Sequence, residues 1–344
     1  MSKTVDGRIA YLDLFRTVAL LGVILLHVSL RFTGAPAGVY NALTRWCVPA
    51  FAMLSGALLL DAKGGKMTDL LLRILRVLLG LCLWSAVYVL LDAVLAGGAL
   101  TLRGFLSAME SALLGGTHDI LWFLYIILGF YILSPILRGL VSGASRGVLR
   151  YALILSYLAA MLLPTALSFF PNSAVSLYLD RLWLTPVLGY FFYFMAGYYF
   201  KHYVIGRIPE AILYVLGAAG LMLSVWGSGI LGGLLPAAGN ERFLDYLSPA
   251  VASAAVAFFV LFRYVLGVSD ERGRSRGVTA AAKCAFGTFL IHELFYVLLD
   301  HLGLFALPIP TALAIPFWTA AIFIPSFALA WLLHSIPVVG KYIA

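Results

Sequence analysis

Charge is the scarcest property of this chain. Only 11% of its 344 residues are Asp, Glu, Lys or Arg, against about 25% in a soluble domain. With 63% apolar residues and a mean hydropathy of +1.01, that scarcity excludes a soluble globular domain. Cysteine is nearly absent. Cys47, Cys82 and Cys284 form no CxxC and no Cys/His cluster, which argues against a disulfide framework and a zinc site, so no metal is expected. Each reads as a small apolar residue. A cleavable leader is not expected: no small-residue cleavage pattern follows the first apolar run, and that run holds Asp13, Arg16 and His27. Internal repeats and low-complexity tracts are also lacking, and no appended soluble domain is expected. Polar chemistry must then come from helix interiors and short loops. The net charge of +8 does not point to nucleic acid, because the cations alternate between loops as an orientation signal does.

What is there is a series of apolar runs, each near the about 20 residues needed to span a bilayer. They fall at 10–31, 41–60, 70–96, 120–140, 149–170, 184–201, 210–232, 246–267, 283–302 and 311–333. The fold class they predict is an all-α polytopic membrane protein of about ten transmembrane helices forming one domain. With the N-terminus inside, 17 of the 23 Lys and Arg fall on inner loops and helix ends and five on outer ones, Arg16 being within a helix. That split predicts an N-in, C-in orientation in a plasma membrane. The longest outer segment, 97–119, has Leu102, Phe105, Leu106, Met109, Leu113 and Leu114 at helical spacing. It reads as a short amphipathic surface helix, which could also support a homo-oligomer contact.

Five constellations could carry chemistry. The first is in the opening helix, RIAYLDLFRTVALLGVILLHVSLRF, where Arg16 and His27 are eleven residues apart. At about 100° per residue they share a face, ~16 Å apart along the axis, with Asp13 one turn before Arg16. Ionisable groups in hydrocarbon are costly and mark function by default, although charges at helix ends also snorkel. On the functional reading His27 is a general base or transient acceptor, Arg16 holds an anion, and Asp13 orients Arg16. The second is Arg73 and Arg76 in RILR, following Lys63 and Lys66, which read as topology signals or as a phosphate clamp. The third is VPAFAMLSGALLL, 48–60, where Pro49 loosens the backbone and Ser55-Gly56 allows close helix approach or contributes to a site. The fourth is DILWFLYIILGFYILSPIL, 119–137, with Trp122, Tyr125 and Tyr131 as a belt or a binding surface, His118 just before it, and Pro135 expected to break its inner end. The fifth is GTFLIHELFYVLLDHLGL, 287–304, where His292 and Glu293 are mid-helix and do not form HExxH.

In this order the segments resemble acyltransferase family 3, the integral membrane acyltransferases, over most of the chain. The opening L-D-x-x-R followed by ten residues and a His is the most specific part. VPAFAMLSGALLL resembles the family's second helix with its Phe-x-x-Ser-Gly core, the Arg73/Arg76 pair its basic cluster, and LWFLYIILGFYILSPIL and FLIHELF later family segments. The nearest group is the stand-alone kind that O-acetylates surface polysaccharide precursors, including the enterobacterial common antigen enzyme. That group often reads H-L-W-F where this chain has Ile120-Leu121-Trp122-Phe123. The resemblance implies acetyl-CoA as donor, with Arg73, Arg76, Arg16 and Ser55 on the donor side. It implies His27 at the transfer step, and His118, Trp122, Tyr131, His292 and Glu293 toward the acceptor, a hydroxyl of a glycan or lipid-linked sugar. A transporter or flippase moving such a substrate without acyl transfer is the rival class, since broken helices and intramembrane charges suit one. An acyl-binding sensor or scaffold is a third.

Overall fold

The computed structural model describes residues 9–60, 67–97, 101–114, 119–170, 184–227, 242–266, 276–336 and 340. Helices dominate these residues and no strand occurs among them. In chain order they are α1 Ala10–Ser29, α2 Ala35–Thr44, α3 Cys47–Leu59, α4 Met67–Leu95, α5 Leu102–Leu113 and α6 Trp122–Gly143. Then come α7 Arg146–Leu167 and α8 Leu184–His202, followed by α9 Arg207–Val225, α10 Pro249–Leu266, α11 Arg276–His301 and α12 Thr311–His334. Among the described residues nine helical stretches are long and apolar enough to cross a membrane, α2 with α3 counting as one. The exposed side of α4 carries Leu71, Leu75 and Leu79, which is what a helix facing lipid presents. The chain is a polytopic membrane protein.

Several boundaries differ from those read in the sequence, for local reasons. The second span starts at Ala35, six residues early, and breaks at Arg45–Trp46 before α3 begins. Pro49 sits in the first turn of α3, where its missing N–H costs nothing. The fifth span starts at Arg146 because Ser145 caps it, its hydroxyl accepting from the Val148 amide. It passes through a π-helical turn, Leu158–Leu162, before Pro164. The amphipathic helix expected within 97–119 spans Leu102–Leu113, capped by Thr101. Pro135 does not break α6, which runs on to Gly143. The carbonyl that Pro135 leaves without an amide partner is that of Tyr131, and Ser134 Oγ donates to it at 2.8 Å.

Contacts divide the chain into two compact units: Met1–Ala62 with Ile136–Ala282 and Ile309–Thr319, and Lys63–Pro135 with Lys283–Pro308 and Ala320–Ala344. In the first, α1 packs on α2, α3 and the end of α10, and α3 packs on α8. The α3–α8 crossing is close enough that only glycine fits at its centre. A Cβ on Gly56 would lie 1.8 Å from the Phe194 carbonyl oxygen, and one on Gly197 1.8 Å from that of Met53. In the second unit, Val77, Leu81, Trp84 and Tyr88 of α4 form a core with Leu290 and Ile291 of α11. Cys47 and Cys284 are buried as expected, while Cys82 is exposed.

Candidate active site

Asp13, Arg16 and His27 occupy one stripe of α1. Asp13 is 6% exposed, and Arg16 Nη1 stands 3.9 Å from its Oδ1. Arg16 and His27 are half-buried. Leu20, Val23 and Ile24, which fill the stripe between them, and Leu26 and Val28, which flank His27, are buried. The polar side chains therefore emerge from a packed apolar stripe, with Asp13 buried and Arg16 and His27 partly exposed. The rotation of α1 is fixed by Phe15, the residue before Arg16. Phe15 stacks on Trp46 at 5.7 Å and meets Phe259 edge-on at 5.4 Å. Rolling α1 would break that aromatic cluster, so the packing that sets Phe15 also sets where Arg16 points.

Ser55 is half-buried on α3. Its hydroxyl donates to the Phe51 carbonyl at 2.8 Å, which leaves its oxygen able to accept a further bond. Gly56 beside it is explained by the α3–α8 crossing.

Arg73 and Arg76 lie in the second unit and are not a matched pair. Arg73 lies on the same stripe of α4 as the buried Leu70, Val77 and Gly80, yet is exposed. Arg76 is half-buried, with its guanidinium 5.2 Å from the centroid of Phe286. His292 is fully buried. Its Nδ1 is 2.5 Å from the Phe289 carbonyl, which can only accept, so that nitrogen carries the proton. Glu293 is half-buried and near Tyr88, whose hydroxyl donates to the Leu290 carbonyl of α11. Trp122 is half-buried, edge-on to Phe123 at 5.8 Å. His118, Lys63 and Lys66 lie outside the described residues.

Sequence reasoning missed Tyr88 and Phe286, which no spacing distinguishes from core aromatics. It also missed a structural use of helix-end cations in the first unit. Arg138 Nε donates to the Leu59 carbonyl at 2.7 Å and Lys201 Nζ to that of Ala57 at 2.8 Å, both at the C-terminus of α3. Arg263 donates to the Phe200 and Tyr203 carbonyls, and Arg146 to the Val204 carbonyl at 2.9 Å, at the end of α8. Cations there meet the unpaired carbonyls and negative dipole end of a helix.

Among the described residues no group of three His, Cys, Asp or Glu side chains could hold a metal ion. No curated protein and no solved structure matches the chain. A family model described as an acyltransferase domain matches residues 9–335, taking in every residue placed above. With its apolar helices and the Arg16–His27 stripe inside that match, the chain belongs to the acyltransferase 3 family of membrane acyltransferases.

Proposed function

We propose that this acyltransferase moves an acetyl group from cytoplasmic acetyl-CoA to a hydroxyl of a cell-surface glycan or its lipid-linked precursor, as the stand-alone enterobacterial-common-antigen type does. It would sit N-in, C-in in the inner membrane. The observation that carries this reading is α1 itself, where a half-buried His27 shares one stripe with Arg16, which is within ion-pair reach of a buried Asp13.

Arg73, exposed and on a packing stripe, and Arg76 take the CoA phosphates; Arg guanidinium suits them because its planar fork binds phosphate bidentately. Arg16 lines the path of the pantetheine arm, with Ser55 as a hydrogen-bond acceptor. His27 Nε2 or Nδ1 takes the proton of the acceptor hydroxyl, the oxygen attacks the thioester carbonyl, and the C–S bond breaks. The CoA thiolate leaves and is protonated as the imidazolium gives up its proton. In the alternative order the imidazole attacks first and carries the acetyl group to the acceptor. An acetyl group accumulating on His27 in enzyme without acceptor distinguishes the second order from the first. Trp122, Tyr131, His118, His292 and Glu293 are assigned to the acceptor side. Holding donor and acceptor together supplies much of the rate.

The test is acetyl-CoA binding and CoA release by detergent-purified protein, wild type beside His27→Ala, with a pool of sugar acceptors. Binding by both and release by wild type alone is expected. Release by the variant at the wild-type rate removes His27 from the reaction. Absence of binding by either removes acetyl-CoA as donor and turns attention to substrate flux in proteoliposomes.

A further inference from the structure

Of the two arginines assigned above to the CoA phosphates, Arg76 is the half-buried one, and it is laid on a ring. Its guanidinium carbon is 5.2 Å from the centroid of Phe286, a residue of α11. The ring reaches α4 because Gly80, one turn beyond Arg76 on that helix, has no side chain. A Cβ on Gly80 would lie 3.1 Å from Phe286 Cζ and 3.3 Å from Cε1, with Leu290 Cδ1 also at 3.3 Å. The ring edge thus rests on the bare backbone at Gly80 and its face lies under Arg76. Arg76 cannot swing toward α11 without displacing the ring, and the ring's negative face favours a flat guanidinium above it.

We infer that Phe286 is a positioning residue for Arg76, holding the guanidinium ready for an anionic donor, with Gly80 as the space that lets it do so. Phe286 does not touch the donor. This inference rests on the reading that Arg76 binds the CoA phosphates. A long flexible side chain loses rotamer freedom when it captures a ligand, and a ring that fixes it beforehand lowers that cost.

The experiment measures CoA affinity for detergent-purified full-length wild type and for Arg76→Ala, Phe286→Leu, Phe286→Tyr, Gly80→Ala and the double variant Arg76→Ala/Phe286→Leu. Phe286→Leu keeps an apolar side chain and loses the ring; it should weaken CoA binding about fivefold. Phe286→Tyr should bind as wild type does. Gly80→Ala, which pushes the ring without removing it, should weaken binding about twofold. The double variant should bind no more weakly than Arg76→Ala alone, because Phe286 acts only through that arginine. Additive weakening in the double variant, or wild-type affinity in Phe286→Leu, overturns the inference while the phosphate role of Arg76 stands. Wild-type affinity in Arg76→Ala overturns that role and the inference with it. A merely structural Phe286 would lower affinity in the Arg76→Ala background too, and Gly80→Ala supplies the same comparison if the leucine variant does not fold.

Discussion

Gly56 of α3 lies directly against the Phe194 carbonyl of α8, and the contact is returned one turn away by Gly197 against Met53. Helices crossing this closely gain from backbone contact in a membrane, where apolar side chains find lipid as good a neighbour as protein. Carbonyl oxygens of a regular helix cannot yield as the tip of a side chain can. Gly56→Ala and Gly197→Ala should each destabilise the protein by about 3 kcal/mol. Thermal unfolding in detergent measures this, and an unchanged midpoint in either variant would contradict the crossing.

The cations at the end of α3 provide a second prediction. Lys201→Met and Arg138→Met keep most of the apolar stem but remove the donors to Ala57 and Leu59. Each should cost about 1 kcal/mol. The losses should be less than additive, because the two carbonyls belong to the same helix terminus. Equilibrium unfolding of the two single variants and the double variant reads this directly.

A third concerns Ser134 and Pro135. Ser134→Ala removes the donor to the Tyr131 carbonyl and should destabilise by about 1 kcal/mol. In a Pro135→Ala background the same change should cost almost nothing, because an alanine at that position carries the amide that closes the helical bond to the Tyr131 carbonyl. Equal costs in the two backgrounds would show that the carbonyl is served in some other way.

Asp13→Asn keeps the shape of the side chain while removing its charge. Arg16 would then lose the partner 3.9 Å away that restrains it. Turnover should fall by about tenfold, with little change in the yield of folded protein. Acetyl transfer at the wild-type rate would show that Asp13 has no part in orienting Arg16.

The fold class was legible because membrane helices announce themselves by hydropathy, and the α1 stripe because three ionisable side chains stand out in an apolar run. What was not legible depended on distant partners. Nothing near Lys201 or Arg138 in sequence reveals that they reach carbonyls 144 and 79 residues away. Arg73 and Arg76 read as equivalents until the position of Phe286 separated them. Pro135 was misjudged because the rule that proline ends a helix assumes a freed carbonyl without a local donor, and Ser134 is that donor. The early start of α2 and its break at Arg45–Trp46 escaped because Arg45 and Trp46 fall inside what reads as one continuous span.

The bonds made by Arg138, Arg146, Lys201 and Arg263 also bear on how the chain settles into its membrane. Positive residues at helix ends are ordinarily counted as signposts for insertion, consulted once and then left in water. Here, four of them end up tethered to the carbonyl ends of α3 and α8. A helix inserted the wrong way round would forfeit those tethers as well as the charge preference. The same side chains thus act first as a compass and afterwards as a latch, so substituting one of them would disturb assembly and durability together.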